Sequence, residues 1–451
     1  MKHHNNNKRS TSSGSLLKKA APCLLALCGQ TLTLTPAVAA VSDAEVEELR
    51  AMIAKLQKKI DEIEASQHEV AQTVAANAAA SSRSEVPTKS GNLLPEGVTL
   101  YGALDSGVER ITNVGRNEKV LDRVPSTTGW APSKVGLDFR HNVNDSIAAV
   151  GKAEMGIYLD SGDSGQGSRL FGRQAYIGID SPFGSLTFGR QYSMLLYGLV
   201  GGEILGPNIQ GIGSIDAYIP NARHDNAVVW RAKFDQLSLG AHYSFGRETA
   251  DGSVPGSGTC GGEDVTDVSR CRSWSAMAKY NDPRFGLAVA IDNQYGGDGA
   301  QAVFYNGSAP IPMTSASDED SRFTANGYLR LGGLKLAAGW LRREVSTKVR
   351  DVNQDTTWLQ GVYSLTPKVL LDGGMFHVDN TDKGTDEDRS ANLYVLRGTY
   401  RIDTQLSTYL SLAFMDNDSN SAYGVSAGGA GAAPVAGNSQ FGTMLGVRYT
   451  F

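Results

Sequence analysis

The last twelve residues, Gln440-Phe-Gly-Thr-Met-Leu-Gly-Val-Arg-Tyr-Thr-Phe451, decide the reading of the whole chain. Phe441, Thr443, Leu445, Val447, Tyr449 and Phe451 share one face of a period-two strand; Gln440, Gly442, Met444, Gly446, Arg448 and Thr450 share the other. One face is apolar and aromatic and the other small or polar, the pattern of a strand with lipid outside and water inside. The alternation recurs upstream. Leu406, Thr408, Leu410, Leu412 and Phe414 stand against Ser407, Tyr409, Ser411 and Ala413, and Leu287, Val289 and Ile291 against Ala288, Ala290 and Asp292.

The connections between such runs also alternate. Short ones fall at Asn144-Asp145, Ser181 to Gly184, Asp235-Gln236, Asp282 to Arg284, Gly332-Gly333, Thr366 to Lys368 and Asp403-Thr404. Longer polar, Gly-rich or Asp-rich stretches lie near 113–131, 160–168, 193–224, 246–272, 296–321, 346–356, 380–389 and 417–438. Seven short turns and eight long loops predict an all-β fold over 98–451: a sixteen-stranded antiparallel transmembrane β-barrel with both termini on the short-turn side. A soluble β-sandwich accounts for the alternation but not for the short-long rhythm, and would bury the aromatic face between sheets.

Composition agrees. The chain has 451 residues, 41% of them hydrophobic, and 52 glycines against 15 prolines. Mean hydropathy is −0.25, and no apolar run reaches the eighteen or so residues of a membrane helix.

Ahead of the barrel the period changes. Lys18 and Lys19, the apolar stretch Ala20 to Leu34 and Ala37-Val38-Ala39 read as a secretory signal over 1–39. Its removal takes five of the 42 basic residues and none of the 47 acids, leaving a net charge of −10. That is too acidic for a general nucleic-acid binder. From 41 to 80, Val46, Leu49, Ile53, Leu56, Ile60, Ile63, Gln67, Val70, Val74 and Asn77 keep an unbroken three-four spacing. Eight of these ten are aliphatic, which predicts an α-helical coiled coil, and the mixed a and d residues with Gln67 favour three strands. Ala, Ser, Asn and Pro then mark a linker over 81–97.

Val98-Thr-Leu-Tyr-Gly102, Arg173-Gln-Ala-Tyr-Ile-Gly-Ile179, Phe183-Gly184, Gly189-Arg190-Gln191 and the terminal Gly446 to Phe451 resemble the general porins of Gram-negative bacteria, in order, over roughly 98–451. The resemblance implies outer-membrane location and a homotrimer, each barrel with its own pore. It further implies a third long loop, here 193–224, folded inward to narrow the channel, and a C-terminal Phe read by the assembly machinery. Two departures stand out. The loop carries only two acids, Glu203 and Asp216. The coiled coil resembles instead the periplasmic stalk of some substrate-selective trimeric porins.

A narrow pore filters through a transverse field between wall cations and loop acids. Strand phase assigns Lys134, Arg173 and Arg231 to the wall, with Arg173 matching a basic wall position of the family. Glu154 and Lys152 share the inward phase. Arg190 opens the loop and its phase leaves its direction open, whereas Arg322 is expected at a strand mouth remote from the constriction. Basic residues around a loop with two acids point to small anions such as organic acids. The remaining negative charge sits on outer loops at Glu263, Asp264 and Asp267, at Asp318 to Asp320 and at Asp382 to Asp388, facing lipopolysaccharide; without calcium-loop spacing these read as solvated.

Cys260 and Cys271, an even pair in an exported chain, predict one local disulfide; zinc would need further ligands nearby. Gly162-Asp-Ser-Gly165 copies a serine-protease nucleophile context without a His and Asp framework, and the seven histidines form no metal constellation. The expected function is thus a passive channel for small hydrophilic solutes, with no cofactor and no catalytic residues. A structural outer-membrane protein using its coiled coil as a periplasmic tether is the alternative.

Overall fold

The computed structural model describes residues 94–451 apart from 128, 207, 249–259, 385 and 386. The signal segment, the coiled coil and all but the end of the linker lie outside the described residues. The chain separates into two units, Met1–Gly91 and Asn92–Phe451; the second is the one described.

Sixteen strands build the wall of that unit: β1 (Val98–Val114), β2 (Lys134–Asn142), β3 (Ala148–Gly156), β4 (Gln174–Ser181), β5 (Gly184–Tyr192), β6 (Arg223–Phe234), β7 (Leu237–Ser244), β8 (Ser273–Asn281), β9 (Phe285–Tyr295), β10 (Glu319–Leu331), β11 (Leu334–Ser346), β12 (Asp351–Ser364), β13 (Val369–Asp382), β14 (Ala391–Arg401), β15 (Leu406–Asn417) and β16 (Gln440–Thr450). Each pairs antiparallel with its sequence neighbour, and β16 pairs back onto β1 from Ala103 opposite Thr450 to Ile111 opposite Gly442. Closure leaves no edge whose backbone groups would face hydrocarbon unpaired. Phe451 extends the seam by exchanging backbone hydrogen bonds with Gly102 at 2.9 and 3.2 Å. A Cβ on Gly102 would stand 2.3 Å from the tip of the Phe451 ring, so glycine here lets that ring lie over the seam.

The short turns owe their tightness to side chains that replace backbone partners. Asp403 accepts the N–H groups of Gln405 and Leu406 at 2.8 and 2.7 Å, and Asn144 those of Ser146 and Ile147, both at 2.9 Å. The outward face carries Ile177, Phe188, Leu287, Leu396, Leu445 and Val447, all exposed. Aromatic pairs flank it: Tyr280 with Phe285 and Tyr449 with Phe451 near the short turns, Phe323 with Trp340 and Tyr394 with Phe414 further along. Such girdles mark the two membrane interfaces.

The loops differ from expectation in one place. The stretch 346–356 is only a turn at 347–350, because β11 runs to Ser346 and β12 starts at Asp351. Its polar residues look loop-like in sequence, yet Val345 and Val352 point inward and join a buried cluster with Phe304, Ile311 and Met313 of the neighbouring loop. Cys260 and Cys271 belong to that cluster, bonded at an S–S distance of 2.02 Å and fully buried. Thiol labelling of unreduced, denatured protein is expected to find neither free. Cys→Ser at both positions is expected to cost about 3 kcal/mol locally and to leave single-channel conductance unchanged; a collapse of conductance would place this loop in the pore.

Candidate functional site

Apolar packing fills part of the lumen. Strand alternation predicts small or polar inward residues throughout, yet on β11 to β15 the inward face carries Leu341, Trp358, Phe376, Leu393, Val395 and Met415, all buried. They pack against Leu199, Leu205, Ile212 and Ile215 of the inward loop 193–222 and against Tyr423 and Val425 of the loop 418–439. Burying these apolar faces against each other removes them from lumenal water, so both loops lie inside the barrel.

A chain of specific contacts fixes the path of loop 193–222. It opens with the short helix α1 (Met194–Leu199), whose Gly198 sits so close to β9 that an added Cβ would meet that of Ala290 at 2.6 Å. Lys279 of β8 donates to the carbonyls of Tyr197 and Val200, satisfying the open end of that helix. Trp358 donates from Nε1 to the Gly202 carbonyl at 2.8 Å, and Gln360 donates to Glu203 Oε1 at 2.9 Å. Further along, Ser214 donates to the Ile209 carbonyl at 2.6 Å and the Ala427 N–H to Ile209 at 2.9 Å. The loop closes at Tyr218, whose hydroxyl lies 2.9 Å from Asp292 Oδ2 and 2.8 Å from His224 Nε2.

Both loop acids are consumed by these anchors, which corrects the transverse-field expectation. Glu203 turns to Gln360 in the wall and is buried. Asp216 receives Arg322 at 2.7 and 3.2 Å, with Arg343 at 3.8 Å. Arg322 and Arg343 also share Asp320, at 3.0 and 2.7 Å. The result is a buried quartet of two guanidiniums and two carboxylates. Arg322 is therefore no remote strand mouth but the clamp of the constriction loop. Residues 106 apart meet here, a juxtaposition invisible to local pattern.

A second group of basic residues lies on β2 to β6. Lys134 opens β2 with its Nζ 3.2 Å from Glu154, and is 30% exposed. Arg173 lies one residue ahead of β4, and its N–H bonds to the carbonyl of Glu154, the residue that pairs with Gln174. Strand phase misplaces Arg173, which shares the parity of the outward-facing Ala175 and Ile177. It reaches inward because it stands ahead of the regular strand as an extra residue, and there it binds Glu154 at 2.8 Å and the Tyr192 hydroxyl at 2.6 Å. Arg231 is inward on β6, its guanidinium 4.9 Å over the Tyr197 ring, without an ion pair among the described residues. Lys152 joins Asp138 and the Tyr101 hydroxyl, which in turn donates to Glu154 at 2.8 Å. Arg223 covers the Tyr192 ring at 4.6 Å. Lys152 was legible from its phase; Tyr101, Tyr192 and Arg223 carried no signal beyond flanking the same strands and loop.

Arg190 stands apart from this group. A register shift between Gly189 and Gln191 interrupts β5 there, and Arg190 pairs with the outward-facing Ala175. Its guanidinium binds Asp225 and the Gly172 carbonyl, at 2.8 and 2.7 Å, beside Arg169. None of its contacts is to Glu203 or Asp216.

On the outer loop, Thr266 donates to Asp264 and Ser269 to Asp267, and these hydrogen bonds hold both carboxyls below their usual range. Arg270 bridges Asp264, Asp267 and Asp298. One guanidinium thus faces three carboxylates, and no cluster of metal ligands occurs among the described residues.

A closed barrel of this strand number, an inward loop and a charged remaining passage are the attributes of a porin. The chain matches the Gram-negative porin family over residues 70–420 and belongs to it, a family of outer-membrane channels rather than enzymes. An outer membrane porin protein of Bordetella pertussis is 29% identical over 169 residues, covering 34% of this chain and 44% of that protein. The major outer membrane protein P.IB of Neisseria meningitidis serogroup B is 33% identical over 100 residues, 22% of this chain and 29% of that protein. The match thus spans less than half the length of either relative. Among solved structures, an anion-selective porin from Comamonas acidovorans aligns with a TM-score of 0.63 at 17% identity, covering 78% of this chain and 99% of that one. OmpT of Vibrio cholerae, in its trimer form, aligns with a TM-score of 0.54 at 18% identity over 78% of this chain and 99% of its own. Identities this low show the shared fold alone.

Proposed function

We propose that the protein is a passive diffusion channel for small hydrophilic solutes that favours anions such as organic acids. One observation carries the reading. Glu203 and Asp216, the two acids of the constriction loop, turn into the wall behind it. On the facing strands Lys134 and Arg173 share the single carboxylate Glu154, and Arg231 has no ion pair among the described residues, so positive charge is left in excess. A passage with cations on one side and a neutral loop on the other attracts anions by long-range potential.

Arg231 offers the test, because Arg173 sits directly on Glu154 and its reversal to Glu would set two buried carboxylates together. In a constriction partly shielded from bulk water, one charge is worth on the order of 1 kcal/mol. Arg231→Glu is expected to move the reversal potential in a salt gradient towards cations, a several-fold change in permeability ratio. An unshifted potential would remove Arg231 from the constriction, and a silent wild-type bilayer would remove the channel.

The assembly belongs to the same proposal. The channel works as a homotrimer in the outer membrane, its outer rim against lipopolysaccharide, with the 41–80 segment as a periplasmic three-stranded stalk. The heptads support this, as does the trimer form recorded for the Vibrio protein of like fold. A peptide covering 41–80 is expected to be helical, to melt at a concentration-dependent temperature and to sediment as a trimer. A monomeric coil would eliminate the stalk.

A further inference from the structure

We propose that the short-turn mouth of the barrel carries a binding site for small aromatic acids, centred on Trp130. A cavity of about 640 Å³ opens there, lined by Trp130, Lys368, Arg401, Asp403, Leu406 and Arg448 among others. Lys368 immediately precedes β13 and Arg401 ends β14, Arg448 faces inward on β16, and Trp130 comes from the loop between β1 and β2.

The charges of the cavity do not balance. Arg401 forms no ion pair among the described residues; Lys368 donates to the Ile402 carbonyl at 3.4 Å and acts on Asp403 through space. Arg448 lies 3.4 Å from Asp105. The one carboxylate lining the cavity, Asp403, already accepts the backbone N–H groups of Gln405 and Leu406. Three cations, Lys368, Arg401 and Arg448, therefore meet two carboxylates, Asp403 and Asp105, and the cavity keeps an excess of positive charge. An anion supplies what is missing.

Trp130 determines which anion. An indole half-exposed in a water-filled mouth is held there by built supports. The Arg397 and Arg448 guanidiniums stand 5.2 and 5.3 Å from its ring centroid, and Tyr409 meets it edge-on at 6.4 Å. The adjoining backbone is pinned too, with the Gly129 N–H donating to the Tyr409 hydroxyl at 3.2 Å and the Ala131 N–H to Asp105 at 3.3 Å. Arg397 is itself locked in a two-point ion pair with Asp372 at 2.9 and 2.7 Å. An inorganic anion or a short aliphatic acid has no use for a fixed indole beside Leu406. A flat ring bearing one acidic group uses both, ring against Trp130 and Leu406, charge towards Lys368, Arg401 and Arg448.

The site relies on the lumenal placement of these residues but not on the ion preference of the channel, so either proposal can fail alone. Titration calorimetry on the full-length protein in detergent, without any current measurement, reads binding directly. Benzoate is expected to bind saturably, propionate and benzyl alcohol each about ten-fold more weakly, and phenyl phosphate to show whether phosphate replaces carboxylate. The paired change Lys368→Gln and Arg401→Gln, at exposed positions that leave folding intact, is expected to weaken benzoate about ten-fold. Arg330→Gln, an exposed cation on β10 outside the cavity, is expected to leave it unchanged. The proposal is overturned by propionate binding as well as benzoate, by equal losses in Arg330→Gln and the paired variant, or by no saturable binding at all.

Discussion

Replacing Arg322 with Ala is expected to lower the thermal stability of the folded barrel and to enlarge and destabilise its single-channel current. The change removes one of two guanidiniums from a quartet in which Arg322 and Asp216 are fully buried. Asp216 and Asp320 then share Arg343 alone, and a carboxylate is left buried without adequate compensation, at a cost of about 3–5 kcal/mol. The cost falls on the loop more than on the wall. Asp216 lies between the turns Ile212–Ser214 and Ile219–Asn221, and its bond to Arg322 at 2.7 Å is the tighter of its two ionic ties, Arg343 standing at 3.8 Å. With that tie gone, the loop is free to lift from the β10 wall, so the constriction widens and fluctuates. Arg322→Lys keeps a charge but not the two-point geometry, and is expected to fall between. Melting curves and current recordings indistinguishable from the parent protein would show that the hydrophobic seat alone holds the loop.

Trp358→Ala is expected to have the second-largest effect, through packing. The indole lies over Gly339 of the neighbouring strand, where an added Cβ would stand 2.1 Å from its ring. It is 4% exposed, belongs to the core shared by wall and loop, and donates to the Gly202 carbonyl. Removing it opens a cavity beneath the loop, for about 3–5 kcal/mol. Trp358→Phe retains most of the contact and loses the hydrogen bond, for about 1 kcal/mol. Because Trp358 and Arg322 hold the same loop at two points, their combined loss is expected to be non-additive. Strict additivity in a double-mutant cycle, read by thermal melting, would mean that the two anchors act on independent elements.

The outward face of the barrel was legible in the chain. Lipid demands an apolar side chain at every second position, and that demand repeats locally wherever a strand crosses. The terminal run Phe441 to Phe451 therefore carried the inside-outside alternation, and the rhythm of seven short turns and eight long loops carried the sixteen strands. The inward face obeyed no such rule. Leu393 and Val395 read as ordinary alternation partners, yet they support a folded loop from nearly two hundred residues away. The loop boundary at 346–356 misled for a related reason: Asn353 and Asp355 are polar because they face outward above the membrane band, not because the chain leaves the sheet.

The candidate site divides in the same way. Lys134 and Arg231 could be placed by phase because a wall charge in a barrel has only two directions to point. Arg190 could not, since a single register shift at Gly189 reverses the phase beyond it. The two loop acids were recognisable as a pair, but their partners Gln360 and Arg322 lie on strands 157 and 106 residues away. By itself, then, the sequence determined the periodic things: a closed sheet, its strand number, the side that meets lipid. Only the tertiary structure decided where the loop acids point and hence which charges the channel shows. Ion pairing depends on distances across the lumen, and no local pattern of residues encodes those.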